Sequence, residues 1–202
     1  MDFFETVRKR RSVCHFSDQP VAQKDIIAIL EAAILAPSAT NEQPWRFIVI
    51  RDKNLKEDMR DVVNAVVETM IAATDDWSRQ KRLAWMQSYS THFADAPVAI
   101  AVLARPWVGG GYSEPTNPAH RDLALESAAM AVAHFQLAAT ALGYGSCFAS
   151  SPAEFAREEL EAILQVEKPW FLVGIMSLGV AAKRPGKRPA RKSIKEVCTF
   201  IG

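Results

Sequence analysis

Arg121-Asp-Leu-Ala-Leu-Glu-Ser-Ala-Ala-Met130-Ala-Val-Ala-His134-Phe-Gln-Leu-Ala-Ala-Thr140-Ala-Leu142 is the longest clean helical pattern in the chain. It is rich in alanine and apolar nearly all round, the pattern of a helix buried at the centre of a domain. Gly143 stands where a C-terminal glycine cap belongs. A central helix needs other elements to cover it, and the flanking sequence supplies both kinds.

Three runs read as strands. Trp45-Arg-Phe-Ile-Val-Ile50 is aromatic and β-branched, Pro97 to Leu103 reads as a buried strand, and Trp170 to Val180 is a third. Residues 2 to 9 predict a short helix, and Gln23 to Ala36 a second that Pro37 ends. Residues 55 to 92 predict helix in two pieces. Ser151-Pro-Ala-Glu154 offers a capping serine, proline at the first helical position and glutamate three residues on. Pro106 to Pro118, with three successive glycines, is expected to be a loop. No repeat or linker interrupts the 202 residues, so one domain is expected, with helices and strands interleaved in an α/β or α+β order.

Composition closes off several functions. Lys and Arg total 24 against 23 Asp and Glu, a net charge of +1, which excludes a globally basic nucleic-acid binder. The longest uncharged apolar stretch, Pro169 to Ala182, is too short to span a bilayer. No apolar leader follows Met1, and Cys14, Cys147 and Cys198 form no CxxC pair, so a reducing, cytoplasmic setting is expected. The four histidines have no ligand spacing, and no metal site is expected. His134, on an apolar helix, reads as a satisfied core residue.

Three constellations are left. Gly143-Tyr-Gly145-Ser-Cys-Phe148 matches a dinucleotide turn only in part, because it lacks the third glycine and follows a helix rather than a strand. Arg8 to Arg11 and the run Lys183, Arg184, Lys187, Arg188, Arg191, Lys192 and Lys195 are basic ends without an acid among them. Either they are solvated or they hold a phosphate, for which the arginine fork is suited. Pro37-Ser-Ala-Thr-Asn41-Glu-Gln43-Pro-Trp45 places hydroxyl and amide groups between a helix end and a strand. It is either a ligand-facing loop or a pair of local turns.

The order of these motifs resembles the nitroreductase family of FMN-dependent enzymes. Arg10-Arg-Ser12-Val-Cys14-His-Phe16 looks like the family's RRSxRxF. Residues 37 to 45 match its second signature, and Ala141 to Phe148 resembles its glycine segment. The stretch from Leu178-Gly-Val180 to Arg191 and Val197 resembles its C-terminal motif. The resemblance implies an α+β, three-layer, nitroreductase-like fold. Its central, mostly antiparallel sheet would be flanked by helices and built into an intertwined homodimer, with residues 181–202 reaching onto the partner subunit.

It also implies a site. Arg10, Ser12 and adjacent Arg11 would hold the FMN phosphate and ribityl chain with Arg191, helped by Arg188. Pro37, Ser38, Ala39 and Asn41 would reach the flavin of the other subunit, with Thr40 on the substrate side. Phe148, Ala149, Ser150 and Ser151 would lie along the ring, with a backbone N–H near Ser150 aimed at flavin N5. The implied activity is hydride transfer from NADH or NADPH through FMN to a small, flat, electron-poor acceptor, by alternating half-reactions and without a catalytic side chain. Alternatives are a dedicated dehydrogenation or reductive dehalogenation on the same scaffold, or flavin binding without turnover. No nucleic-acid or membrane partner is implied.

One position departs from the family. Cys14 stands where Lys or Arg is usual, near the flavin's pyrimidine edge. A neutral thiol there implies a lowered flavin reduction potential unless another cation, such as His92, substitutes. Trp85, Met86 and Tyr89 either line the substrate pocket or serve core packing, and core packing is the expectation.

Overall fold

The computed structural model describes residues 2–108, 119–183 and 186–202. Eight helices and four strands follow one another in the described residues: α1 (Phe3–Lys9), α2 (Gln23–Ile34), β1 (Trp45–Ile50), α3 (Lys53–Ala72), α4 (Trp77–Thr91), β2 (Val98–Ala104), α5 (Ala119–Ala141), β3 (Gly145–Ala149), α6 (Ser151–Phe155), α7 (Arg157–Ile163), β4 (Phe171–Gly179) and α8 (Ile194–Val197). The strands form one antiparallel sheet in the order β1-β2-β4-β3.

Strand β2 is buried along its whole length, because helices cover both faces of the sheet. Val98, Ile100, Val102 and Ala104 point into one core with Ile26, Ile29 and Ala33 of α2 and Ala124, Ala128, Val132 and Phe135 of α5. Ala99, Ala101 and Leu103 point into the other, with Met59, Val63 and Val67 of α3, Leu83 of α4 and Leu160 of α7. The alternation of side chains along a strand thus makes three layers. On β4 the alternation switches phase. Phe171 and Val173 share the first core with Met176 and Leu178, while Leu172 and Ile175 share the second. The register shift opposite Val102 and Leu103 is the cause, since a β-bulge inserts one unpaired residue and reverses the parity beyond it.

Helix α5 is the expected central helix. Gly143 closes it at φ 88°, and the N–H of Tyr144 reaches back to the Ala139 carbonyl at 2.8 Å. Two expectations need correction. Gly145 to Ala149, read only as a glycine segment, is a fourth strand paired to β4. Ser151 is not a cap: it is the first residue of a five-residue helix whose N-cap, Ser150, makes no side-chain cap bond. The expected loop 106–118 lies largely outside the described residues. Within its described part, Trp107 is buried and bonds through its N–H to the His120 carbonyl at 3.0 Å.

Candidate active site

The N-terminal segment leaves α1 and runs beside the edge strand β3. Ser12 bridges Ser146 in parallel, and the Val13 N–H donates to the Ser146 carbonyl at 3.0 Å. The approach is close because Gly145 has no side chain: a Cβ there would lie 2.8 Å from Val13 Cβ. One turn further, Phe16 bridges Ala181, and Ala182 donates to the His15 carbonyl at 3.0 Å. The start of the chain is therefore stitched between β3 and the start of the C-terminal segment.

This stitching brings the two basic ends together. The Arg188 guanidinium donates to the carbonyls of Val7 at 3.1 Å, Arg8 at 2.5 Å and Arg10 at 3.3 Å. It thereby caps the C-terminal end of α1, where a cation is favoured. Its pKa is lowered, by desolvation first and then by the neighbouring charges of Arg11 and Arg191. Arg11 and Arg191 thus each lie within electrostatic reach of Arg188. Arg11 spends one nitrogen on the Arg8 carbonyl at 2.9 Å, while its Nε is buried without a hydrogen-bond partner. Two hollows adjoin the cluster. One of about 230 Å³ is lined by Lys9, Arg11, Val13, Tyr144 and Gly145 among others, and one of about 350 Å³ by Ser12, Cys14, His15, Lys183 and Gly186. An orphaned guanidinium N–H and mutually repelling arginines fit a bound phosphate.

The loop from Pro37 sits elsewhere. Ala39–Asn41 form a 3-10 turn ahead of β1, on the opposite edge of the sheet from β3. Four strands at a spacing of about 4.8 Å put these edges roughly 14 Å apart. Within one chain, Pro37, Ser38, Ala39, Thr40 and Asn41 are not brought to Arg10, Arg11 and Ser12. The loop is held under backbone strain: Thr40, Asn41 and Gln43 all have φ between 50° and 57°, a region rare for residues other than glycine. Its supports are local and tertiary. Ser38 Oγ accepts from the Gln43 N–H at 2.9 Å, and Ser127 Oγ accepts from the Ala39 N–H at 3.3 Å. Trp107 Nε1 donates to Thr40 Oγ1 at 3.0 Å, and Glu42 pairs with Arg105 at 2.8 Å.

Phe148 to Ser151 end β3 and begin α6. Gly174 makes room for them, since a Cβ there would meet the Ala149 carbonyl at 2.5 Å and the Phe148 ring at 2.8 Å. Ser151 is buried and its Oγ accepts from Ser90 Oγ at 2.6 Å, which joins α6 to α4. Ser150 is exposed.

Beside β3 lies a group that sequence spacing hid. The sulfurs of Cys14 and Cys147 and one imidazole nitrogen of His92 all lie within 4.8 Å of one another. Cys147 and His92 are buried, and Cys14 is half-buried. Tyr89 adds its hydroxyl, 3.7 Å from Cys147 Sγ. The Cys14 thiol, then His92 and Tyr89, hold the Cys147 thiol down to about 4, while Cys14 itself is pushed up by its contact with Cys147. Burial opposes charge on His92, but its contacts to Cys147 and the Tyr89 carbonyl outweigh it and raise its pKa. Burial, then Cys147, pushes the Tyr89 phenol up to about 12. His92 therefore lies beside Cys14, where the resemblance implies a missing cation. Trp85 corrects another expectation: it is 64% exposed and stacks on Tyr89 at 5.6 Å rather than packing in the core. His134 is half-buried and approaches the Ala32 carbonyl at 3.3 Å.

Residues 7–180 match the sequence pattern of the nitroreductase family. The chain belongs to the nitroreductase family. A BluB-like flavoprotein of Clostridium difficile 630 is 31% identical, with a TM-score of 0.86 over the full length of both chains. An iodotyrosine deiodinase solved with FMN and 3-iodo-L-tyrosine is 25% identical, with a TM-score of 0.75 over 98% of this chain and 99% of that one. A protein of Archaeoglobus fulgidus, provisionally named an NADH dehydrogenase or NAD(P)H nitroreductase, is 34% identical over 123 residues, 56% of this chain and 71% of that one. The nitroreductase fold accounts for the three layers. No described helix of this family member is long and apolar enough to cross a membrane.

Proposed function

We propose that the protein is an FMN-dependent oxidoreductase that works as a homodimer, using NADH or NADPH to reduce a small, flat, electron-poor acceptor such as a quinone or nitroaromatic. The observation that carries this reading is the approach of Arg11 and Arg191 to Arg188 at the end of α1, with the Arg11 Nε–H buried and unpaired. Bound FMN supplies a centre that accepts hydride at N5 and delivers two electrons onward. The residues of this chain bind and orient it. Arg10, Arg11, Ser12 and Arg191 hold the phosphate and ribityl chain, while Arg188 fastens α1 in place. Phe148, Ala149, Ser150 and Ser151 line the ring. From the partner copy, Pro37, Ser38, Ala39 and Asn41 close the other side, and Thr40 faces the acceptor.

Exposed apolar side chains support the pairing of two copies. Phe3 and Phe4 of α1, Leu35 at the end of α2, and Phe200 and Ile201 of the tail are each at least 64% exposed. Residues 181–202 are proposed to reach across that surface.

The test is anaerobic. The purified protein is expected to be yellow, to release FMN on denaturation, to bleach with NADH or NADPH, and to recover colour with a quinone. A colourless, flavin-free protein would overturn the reading. A second reading, reductive dehalogenation of a dedicated substrate, is favoured by Cys14 at the position of the usual cation and by the full-length likeness to a deiodinase. Slow bleaching by both nicotinamides, with turnover of a halogenated phenol under a chemical reductant, would select it.

A further inference from the structure

We propose that Cys14, His92 and Cys147 form a binding site for one thiophilic d10 cation, Zn2+ by preference, with two sulfur ligands, one nitrogen ligand and a fourth position open to the adjoining hollow. The three side chains come from the segment after α1, the end of α4 and the middle of β3, and their ligand atoms lie within 4.8 Å of one another. Tetrahedral zinc, with bonds of about 2.3 Å to sulfur and 2.0–2.1 Å to nitrogen, places its ligand atoms about 3.5–3.8 Å apart. Side-chain rotation of about 1 Å closes that difference.

The imidazole is prepared for the role. Nδ1 of His92 meets the Tyr89 carbonyl at 2.5 Å, which sets Nδ1 as the protonated nitrogen and leaves the Nε2 lone pair as the ligand. Nε2 is buried, on a residue only 6% exposed, and beyond its long contact toward the Cys147 thiol it has no hydrogen bond of good geometry. A buried, poorly paired ring nitrogen beside two sulfurs is costly unless something occupies the space between them. Tyr89 supplies the outer shell: its hydroxyl lies 3.7 Å from Cys147 Sγ and would donate to the thiolate of the loaded centre. Cys14 lines the hollow of about 350 Å³, which gives the ion an entry path and its fourth ligand a place. Two thiolates neutralise a divalent ion, so the loaded centre is compatible with burial, and each thiol that binds as thiolate gives its proton to solvent. Soft sulfur with imidazole selects zinc over magnesium or calcium.

The experiment uses the full chain, purified under reducing conditions, with flavin content measured in parallel. Zn2+ is titrated in competition with a chromophoric chelator, and Co2+ is added separately to read a thiolate charge-transfer band. The expected result is one Zn2+ per chain. Cys14→Ser and His92→Gln should each weaken binding more than about 100-fold, since loss of even an outer-shell partner costs 10–100-fold. Cys198→Ser, at an exposed cysteine, should bind as the parent does. Because Cys147 is fully buried and its variants risk misfolding, protection is read on the parent: Zn2+ should slow alkylation of Cys14 while Cys198 reacts at an unchanged rate. Equal affinity in Cys14→Ser, no binding by the parent, or a Cys14–Cys147 disulfide whose reduced form takes up no Zn2+ would each overturn the proposal. Flavin content reports separately on the FMN reading.

Discussion

Gly145→Ala is the sharpest test of how the edge of the sheet is built. The added Cβ would lie 2.8 Å from Val13 Cβ and 2.9 Å from each of its γ-methyl carbons. Carbon atoms prefer about 3.5–4.0 Å, so Val13 must retreat by roughly 0.7 Å or more. It cannot do so by rotating, because the nearest atom is its own Cβ. The backbone must move, and that backbone is bonded to Ser146 at 3.0 Å. Overpacking of this kind costs about 1–3 kcal/mol, and relief of the glycine's excess entropy returns roughly 0.5 kcal/mol or more. The net loss of about 1–2 kcal/mol corresponds to a fall in Tm of about 2–8 °C for a domain of this size. Urea unfolding of Gly145→Ala, Val13→Gly and the double variant measures the coupling directly. Val13→Gly removes all three clashing atoms, so in that background Gly145→Ala should lose most of its cost. Gly143→Ala is the control: it is strained by φ 88° but meets nothing within 4 Å, so its cost should not depend on Val13. Additivity of Gly145→Ala and Val13→Gly within about 0.5 kcal/mol would refute the close approach of the segment to β3.

Three further outcomes are expected. The Tyr144 phenol donates to Asp25 at 2.7 Å, and this bond, then burial, raises its pKa. Its stabilisation is therefore complete below the ordinary value of 10 and disappears as pH rises through the raised folded value. Tyr144→Phe should cost about 1 kcal/mol at pH 8 and progressively less above pH 10, read by urea unfolding across that range. Glu161 accepts from the buried Leu172 N–H at 2.8 Å and from exposed Lys168 at 3.2 Å; Glu161→Ala should cost about 1–3 kcal/mol by orphaning that N–H, and Glu161→Gln much less, with little dependence on salt. Ser127→Ala removes the acceptor for Ala39 and should speed FMN release while changing global stability by no more than about 1 kcal/mol; an unchanged release rate, measured by flavin fluorescence, would count against a role for the loop.

Much of the fold was legible in the sequence. Strands β1, β2 and β4 announce themselves through β-branched and aromatic runs, and α5 through its alanine-rich, all-round apolar pattern. Strand β3 does not, because Gly145-Ser-Cys-Phe-Ala149 has no β-branched residue. It is extended because β4 offers it an edge and because small residues let Val13 approach. The serine of Ser151-Pro-Ala-Glu154 misled for a related reason: the capping pattern is present, but tertiary packing spends that hydroxyl on Ser90 instead. The thiol–imidazole group was invisible to spacing, since its members stand at positions 14, 92 and 147. Only Cys14, at a position where the resemblance implies a cation, marked it, with His92 as the cation that substitutes.

The arrangement of the basic ends also bears on the proposed pairing of two copies. Arg188 spends its donors on the carbonyls of α1, so it positions the segment that carries Arg10, Arg11 and Ser12 rather than leaving its charge free for a ligand. The loop at Pro37 is strained at three residues and held by Ser127 and Trp107, yet it faces away from that segment across the width of the sheet. Strain persists where surrounding structure over-determines it, and here the supports come from Ser127 of α5 and from Trp107. On the proposed function, each chain thus carries two half-sites that it does not itself join. In the proposed homodimer, a second copy would set the loop of one chain against the β3 edge of the other and would bury the apolar side chains of α1, α2 and the tail. On that arrangement, a variant that blocks pairing should lose FMN without altering the geometry of either half-site within its own chain.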